Sequence, residues 1–257
     1  MNKPLVLTPI TGIPLIKPRM DLSKIILKSI IKNGIKLTTG DVLVVTQSLV
    51  CKAEDRYINL LDIVPSKRAI EISKKVQKDP RLVELILSES REVLRMKEGT
   101  IIVEHRLGFI CANAGIDHSN VKGLYGNPKN WYLLLPKNPD ESAQRIREDI
   151  YGLCGTYVGL LIIDSQGRAW RNGTFGTAIG LEGLPGLMDL RGYEDSFGYK
   201  LKVTQVAVAD ELAAAASLIM GQTKENIPVV HVRGFPYSLR NAGLRELLRK
   251  KDIDLFR

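Results

Sequence analysis

Two aspartates lie where short apolar runs give way to small polar residues. Asp117 follows the run in GFICANAGID, and Asp164 follows the run in YVGLLIID. Carboxylates at the ends of buried strands are held rigidly while they face an open edge of a sheet, and Ser165 adds a hydroxyl. Such oxygen ligands suit a hard cation, Mg²⁺ or Mn²⁺. The alternative is that each aspartate only caps a turn by accepting hydrogen bonds from nearby backbone N–H groups.

Motifs of the common nucleotide-binding and hydrolase folds are absent from the sequence. It contains no GxxxxGK[ST] phosphate loop, no GxGxxG after a predicted strand, no HExxH and no GxSxG. The segment 176–186, GTAIGLEGLPG, has the wrong glycine spacing for a phosphate loop, and we predict turns there. His105, His118 and His231 are isolated from one another. The sequence therefore favours chemistry at oxygen ligands.

The chain is basic, with 37 Lys and Arg against 28 Asp and Glu and a formal net charge of +9. The basic residues are scattered, aromatic residues make up only 6%, and no known nucleic-acid-binding signature is present. We therefore expect no nucleic-acid partner. A basic balance suits an enzyme whose substrates are small polyanions. A solvated surface with surplus lysine explains the same charge.

Hydropathy and cysteine usage indicate a cytoplasmic protein. No apolar stretch approaches the ~18 residues of a membrane helix, so no membrane partner is expected. The segment 1–18 contains several prolines and lacks a small-residue cleavage site, so it predicts no signal peptide. Cys51, Cys111 and Cys154 are odd in number and lack CxxC spacing. We predict that they are reduced core thiols, not metal ligands.

Strands and helices are predicted along the whole chain. The segments 41–46 and 157–164 are short, apolar and β-branched, which is typical of buried strands. Four helices are predicted, in DLSKIILKSIIKNG (21–34), DPRLVELILSES (79–90), NPDESAQRIREDIYGL (138–153) and ADELAAAASLIMG (209–221). The first and third have an apolar face, and the fourth is Ala-rich and predicted to be well buried. The mixture predicts an α/β or α+β class. With no clear linker, we expect a single catalytic unit over residues 1–257, in one or two lobes.

Local signals define the ends and faces of these helices. Asp21 and Asp79 are predicted N-caps, Pro80 occupies a first helical position, and Gly34 and Gly221 lie just past helix ends. The buried face of the first helix is predicted to contain Ile25, Ile26, Ile30 and Ile31. The buried face of the third is predicted to contain Ala143, Ile146, Ile150 and Leu153.

Seven segments, in this order, resemble the coenzyme F420-0:L-glutamate ligase family. They are TGIPLIKP, DVLVVTQSLVCKAEDR, DPRLVELILSES, ICANAGIDHSNV, IIDSQGRAWRNGTFGTAIG, VADELAAAASLIMG and PVVHVRG. The resemblance runs from about residue 8 to 235 and is densest around Asp117 and Asp164. The terminal DLFR resembles bacterial members of the family.

The resemblance implies GTP-dependent addition of L-glutamate to the deazaflavin coenzyme F420-0. Any further glutamates would be γ-linked, and activation of the acceptor carboxylate calls for an acyl-phosphate intermediate. The implied fold is a mixed α/β arrangement specific to this ligase family, built as an intertwined homodimer with a substrate cleft. The expected cofactors are two divalent cations, Mg²⁺ or Mn²⁺, with a monovalent cation as an optional addition. The expected partners are F420-0, L-glutamate, GTP and a second copy of the chain.

The resemblance also assigns residues by position. The implied metal ligands are Asp117, Asp164, Ser165 and Gln222. The implied nucleotide contacts are Ile13, Pro14, Leu15, Ile16, Gln47, Ser48, Lys52, Asn120, Met220, Gly221, Gln222, Thr223, Lys224, Glu225, Asn226 and Ile227. Lys52, Asp117 and Asp164 are the implied catalytic residues, with Lys52 adding positive charge at the phosphates. Without the motif, Lys52 would be interpreted as a solvated lysine.

A few positions depart from the family pattern. Cys51 and Asp55 stand where Ser and Gly are commoner, and Ser165 replaces a frequent Thr while preserving the hydroxyl. Gln222 stands where Glu is also found, which lowers the negative charge of the implied metal site.

Two other functions compete with the ligase interpretation. A metal-dependent phosphohydrolase would use the same carboxylates to activate water, and it would need neither acceptor nor glutamate. A non-catalytic module that binds nucleotide or nucleic acid is suggested only by the charge of +9. The strand-end carboxylates and the lack of an aromatic platform count against that module.

Overall fold

A computed structural model describes residues 4–255 of the chain. The α-helices are α1 Leu22–Lys32, α2 Gln47–Ala53, α3 Lys67–Val76, α4 Pro80–Ser88, α5 Pro139–Cys154 and α6 Val208–Met220. The strands are β1 Val6–Pro9, β2 Val42–Thr46, β3 Tyr57–Asn59, β4 Ser90–Lys97, β5 Thr100–His105, β6 Ile110–Ala112, β7 Trp131–Leu133, β8 Gly159–Arg168, β9 Arg171–Glu182, β10 Met188–Asp189, β11 Gln205–Val206 and β12 Val229–Arg233. The predicted mixed α/β class is confirmed.

A five-stranded sheet forms the centre of the molecule, in the order β1-β12-β2-β8-β9. Strands β2 and β8 are parallel neighbours, and the other pairings are antiparallel. Successive side chains of a strand point to opposite faces. Leu43 and Val45 accordingly pack in one core with residues of α1 and α5, whereas Val42 and Val44 pack in a second core with α6. Because both faces of β2 are buried, its sequence is an unbroken apolar run.

A smaller sheet, in the order β4-β5-β6, lies beside the central one. Helices α3 and α4 cover it with their own apolar core, which contains Ala69, Ile72, Val76, Val83, Ile86, Ile101 and Val103. Strands β3 and β7 pair separately, and the backbone N–H of Leu134 donates to the carbonyl of Arg56 just beyond that pair. This smaller unit places β6, and the turn after it, against β8 of the central sheet.

The predicted helix ends are confirmed, but two predicted buried positions are wrong. Asp21 accepts a hydrogen bond from the N–H of Lys24, and Asp79 caps α4 with Pro80 in its first turn. Ile31 is 64% exposed because the buried face of α1 runs through Ile26 and Ile30 and turns away at the next residue. Leu153 is 45% exposed, since the last turn of α5 lies outside the core.

Turns were predicted for the glycine-rich segment 176–186, but most of this segment is a strand. Residues 176–182 belong to β9. A Cβ at Gly176 would overlap the backbone of Ala213 in α6, and one at Gly180 would overlap Pro139 at the start of α5. These glycines therefore allow helices to approach both faces of the strand.

Strand β8 is longer than predicted, and this changes the position of Asp164. The strand continues to Arg168, with Asp164 paired to Thr177 and Ser165 to Gly176 of β9. Asp164 thus lies within a strand, at the point where its burial ends, and not at the strand's end. Pairing with β9 holds the backbone on both sides of it.

The cysteine prediction is confirmed for two residues of three. Cys51 and Cys111 are buried free thiols, whereas Cys154 is exposed in the last turn of α5, so that it is not a core residue. Among residues 4–255, no helix is long and apolar enough to cross a membrane. The terminal DLFR motif ends at residues 256–257, and the N-terminal segment begins at residues 1–3, both outside the described range.

Candidate functional site

The carboxyl end of β2 lies beside the middle of β8, because these strands are parallel and Thr46 pairs with Ile163. Ligands of open α/β sheets bind beyond such strand ends. A cavity of about 580 Å³ opens at this place. Its wall is drawn from the segments 13–16, 46–52, 112–120, 163–165 and 217–228.

The cavity brings together nearly all of the residues assigned by resemblance. Those that line it are Ile13, Pro14, Leu15, Ile16, Gln47, Ser48, Lys52, Asp117, Asn120, Asp164, Ser165, Met220, Gly221, Gln222, Thr223, Glu225, Asn226 and Ile227. Lys224 is the exception, because it is exposed and does not line the wall. Its neighbour Glu225 folds back to accept hydrogen bonds from the N–H and hydroxyl of Thr223, which makes a tight turn around Lys224.

Asp117 caps a turn and faces the cavity at the same time. Its Oδ1 accepts hydrogen bonds from the backbone N–H of Ser119 at 2.9 Å and from the Ser119 hydroxyl at 2.8 Å. Its backbone forms both hydrogen bonds of a bridge to Leu133. Within residues 4–255, Oδ2 accepts no hydrogen bond, so one carboxylate oxygen is available to a ligand.

Asp164 has an environment that opposes ionisation. Burial raises the pKa of its carboxyl to about 7, and the nearby charge of Asp117 acts in the same direction. Hydrogen bonds from the Ser165 N–H at 2.8 Å and from Gln166 Nε2 at 3.3 Å lower the pKa without offsetting this effect. Protein surrounds the carboxyl on nearly every side, although part of the residue still reaches the cavity. A cation bound here would remove the cost of ionising it.

Ser165 and Gln222 connect β8 to the loop after α6. The Ser165 hydroxyl donates a hydrogen bond to Gln222 Oε1 at 3.0 Å. With Asp117 and Asp164, this pair makes an all-oxygen donor set that fits a hard divalent cation. No cluster of three or more His, Cys, Asp or Glu that could hold a metal occurs within residues 4–255. The protein would therefore supply two charged ligands, and phosphate or water the rest.

Helix α2 presents Gln47, Ser48 and Lys52 to the cavity. Burial lowers the pKa of the Lys52 ammonium, and the charge of Asp117 opposes this shift. Cys51, which differs from the residue common in the family, also has a structural role here. Its buried thiol donates a hydrogen bond to Gln47 Oε1 at 3.0 Å. That hydrogen bond fixes the orientation of the Gln47 amide at the wall.

Four of the eight non-glycine residues with positive φ among residues 4–255 lie in or beside the cavity wall. Asn113, Ala114 and Gly115 have φ of 50°, 54° and 62°, and Asn120 and Asn226 have φ of 55° and 54°. Each non-glycine residue in this left-handed region costs about 1–3 kcal/mol. The surrounding contacts must hold these residues in place. Sequence reasoning missed Asn113, Ser119 and Ser217 in the wall, because no local pattern marks them.

Known proteins resemble this chain along nearly its whole length. The model of the family described as F420-0:Gamma-glutamyl ligase matches residues 11–234. A protein of Methanothermobacter thermautotrophicus named Coenzyme F420:L-glutamate ligase is 42% identical over 96% of this chain and 97% of that protein. A protein of the same name from Methanocaldococcus jannaschii is 46% identical over 85% of each chain. One from Archaeoglobus fulgidus is 39% identical over 97% of this chain and 95% of that protein. The matched region includes every segment of the cavity wall.

Proposed function

The chain belongs to the F420-0:Gamma-glutamyl ligase family, and from this premise we propose that it joins L-glutamate to the coenzyme F420-0 with consumption of GTP. The name of its relatives, Coenzyme F420:L-glutamate ligase, supports glutamate and the coenzyme as substrates. The observation that carries the proposal is the cavity, because chain segments as distant as 13–16 and 217–228 converge there around Asp117 and Asp164.

In this proposal, Asp117, Asp164, Ser165 and Gln222 hold divalent cations, Mg²⁺ or Mn²⁺. When bound, the cations would neutralise phosphate oxygens and orient them for in-line transfer. The free Oδ2 of Asp117 and the costly charge of Asp164 support this assignment. Two carboxylates are few for two ions, which suits Mg²⁺, since it retains waters and phosphates as its other ligands.

The remaining wall would bind the nucleotide. Apolar side chains of 13–16 and the loop 220–227 flank the cavity, and Lys52 brings a cation to the end that also holds Asp117. A compact ammonium is sufficient as a charge partner for phosphate. Gln47 and Asn120 add polar groups that can bind the nucleotide by hydrogen bonds.

The reaction has two steps in this proposal. A carboxylate oxygen of F420-0 attacks the γ-phosphorus, the bond from that phosphorus to the β–γ bridging oxygen breaks, and GDP leaves. The amine of L-glutamate then attacks the acyl carbon of the acyl phosphate and loses a proton, and inorganic phosphate leaves. Each unit-charge pair in the first step repels by about 4 kcal/mol at ~4 Å and an effective dielectric of ~20. That is about three decades of rate, and in this proposal the charge of Lys52 lowers the barrier.

The test is a ligation assay in which one component is omitted at a time. Purified protein is incubated anaerobically with F420-0, GTP, L-glutamate and Mn²⁺, and products are identified by mass spectrometry. We expect glutamylated coenzyme and GDP only when all components are present. GTP hydrolysis without acceptor and glutamate would instead indicate the phosphohydrolase. GTP binding without turnover in the complete mixture would indicate a nucleotide-binding module.

We also propose that the chain acts as a homodimer. Exposed apolar side chains at Trp170, between β8 and β9, and at Phe197 and Val203, between β10 and β11, support this. These side chains are the groups that an interface with a second copy would cover. Light scattering during size-exclusion chromatography measures the mass directly, and a monomer at assay concentration would contradict the dimer while leaving the ligase proposal intact.

A further inference from the structure

A left-handed turn separates β6 from Asp117. It consists of Asn113, Ala114 and Gly115, which have positive φ in succession. Ala114 is buried, and a Cβ at Gly115 would lie 2.8 Å from Leu135 Cδ1, so the close approach of Leu135 requires glycine there. The turn is therefore held in one conformation, and Asn113 occupies a fixed place in the cavity wall.

The side chain of Asn113 is tied to the protein at one end only. Its Oδ1 accepts a hydrogen bond from the backbone N–H of Ile101 at 3.1 Å. Because that N–H is a donor, the bond identifies the oxygen and leaves Nδ2 at the other end of the amide. Within residues 4–255, Nδ2 donates to no acceptor.

Several other polar groups of the wall already have partners. The Ser119 N–H and hydroxyl donate to Asp117, the Ser165 hydroxyl donates to Gln222, and the Thr46 and Ser48 hydroxyls bond each other at 3.3 Å. Asn113 Nδ2 is thus a neutral donor with no partner among residues 4–255, in a wall that also carries the carboxylates of Asp117 and Asp164. Its complement is an oxygen that accepts hydrogen bonds, and such an oxygen gains most when it is charged.

From this geometry we propose that Asn113 Nδ2 binds an anionic oxygen of a ligand in the cavity, on the side of Asp117. The inference rests on the proposed function, which supplies two sources of such oxygens. One source is the triphosphate of the nucleotide, and the other is the carboxylate of F420-0 or of L-glutamate. In both cases Asn113 is a binding residue that contacts the ligand directly.

Two variants separate the donor from its surroundings. Asn113→Asp keeps an oxygen for the Ile101 N–H and a side chain that tolerates positive φ, but it replaces the donor with a charge. Asn113→Gly adopts the turn without strain and adds no charge, but it loses both the donor and the Ile101 contact. Only the loss of the donor is common to both.

Each variant is measured in two ways. Calorimetric titration with GTP in metal-free buffer reports phosphate binding, and the KM values for F420-0 and L-glutamate at saturating GTP report carboxylate binding. We expect both variants to weaken the same ligand by about tenfold to a hundredfold, as for a lost hydrogen bond to a charged group. A change in GTP affinity would identify a phosphate oxygen as the ligand, and a change in KM for F420-0 or L-glutamate would identify a carboxylate oxygen.

Other patterns would overturn the inference. Impairment of Asn113→Gly alone, with a lowered melting temperature, would assign the residue to holding the turn. Impairment of Asn113→Asp alone, relieved by salt, would show only repulsion by the added charge. An active wild type with two unaffected variants refutes this inference and leaves the ligase proposal standing. A wild type that neither binds GTP nor ligates glutamate refutes the proposed function, and this inference with it, before any variant is compared.

Discussion

Asp41 and Asp164 lie at opposite ends of the central sheet, and the protein surrounds them in opposite ways. Asp41 precedes β2 and is 2% exposed. Burial alone would raise its pKa, but hydrogen bonds from Arg233 and His231 bring the pKa down to about 2. At the other end of the sheet, burial raises the pKa of Asp164 to about 7, and the charge of another carboxylate, Asp117, acts in the same direction.

The difference separates a structural carboxylate from a functional one. Around Asp41, Arg233 Nη2 lies 2.7 Å and His231 Nε2 2.9 Å from Oδ2, and the Thr38 N–H donates as well. Glu89 follows the same rule, since burial is outweighed by His105 and Arg106 and its pKa falls to about 2. Among residues 4–255, the cavity carboxylates have no comparable cation contact. Titratable groups left in this state are typical of ligand and catalytic sites.

The largest effect is expected from Asp164→Asn. The amide keeps the size and one acceptor oxygen but loses the charge that a hard cation requires. We expect ligase activity to fall at least about a hundredfold across a Mg²⁺ titration. Asp62→Asn is a matched control, because Asp62 is exposed and outside the cavity wall. Near-normal turnover of Asp164→Asn would mean that this carboxylate does not hold the cation.

A large loss of stability is expected at the other end of the sheet. Asp41→Asn removes the carboxylate that His231 and Arg233 share, leaving buried His231 with an altered partner. Breaking a fully buried ion pair costs about 3–5 kcal/mol. Because Arg233 is half-exposed, urea denaturation should report a smaller loss than this. Activity of the remaining folded enzyme should stay near normal. If the stability were unchanged, the ion cluster at Asp41 would not stabilise the sheet.

The two aspartates should also give opposite pH dependence of stability. The folded pKa of Asp41 is depressed, so its contribution is present above pH ~4 and is lost as the pH falls towards 2. The folded pKa of Asp164 is raised, so its ionisation destabilises the metal-free protein increasingly from pH ~4 to 7. This cost is at most about 4 kcal/mol, and water in the cavity reduces it.

Comparison of the wild type with Asp164→Asn isolates that cost from other groups. In EDTA at pH 8, we expect the variant to unfold at higher urea concentration than the wild type, and the two midpoints to converge near pH 4. Mn²⁺ should reverse the order at pH 8, because only the wild type gains binding energy from the ion. Equal midpoints at pH 8 in EDTA would show that Asp164 is not destabilised by its environment.

Local signals in the sequence predicted the parts of the fold that local forces determine. The caps at Asp21 and Asp79 and the apolar run of β2 are such signals, and all three are confirmed. The prediction of turns in β9 was wrong because its glycines allow α5 and α6 to pack closely against the strand. These helices are distant in sequence, so no local pattern indicates that contact. The burial of Ile31 was wrong because the width of a helix's buried face depends on what packs against it.

The candidate site was predictable only in part, for the same reason. The change from apolar to polar residues at Asp117 and Asp164 marked both carboxylates from the sequence alone. Their convergence with the segments 13–16 and 217–228 is a tertiary property, and only the family resemblance anticipated it. Asn113 was missed because its conformation depends on Leu135 and its orientation on the Ile101 N–H.

The smallest effect is expected from Gln222→Glu, which strengthens the contrast between the two ends of the sheet. Gln222 Oε1 already accepts from the Ser165 hydroxyl, and a carboxylate can accept the same bond. The substitution would add negative charge to a metal-free cavity that already contains Asp117 and Asp164, and a cation would therefore bind more tightly. We expect the Mn²⁺ concentration at half-maximal activity to fall about three- to tenfold, the equivalent of about 1 kcal/mol. Gln144→Glu adds the same charge on the exposed face of α5 and should leave the titration unchanged. If Gln222→Glu behaves like this control, Gln222 connects the loop to β8 without being a metal ligand.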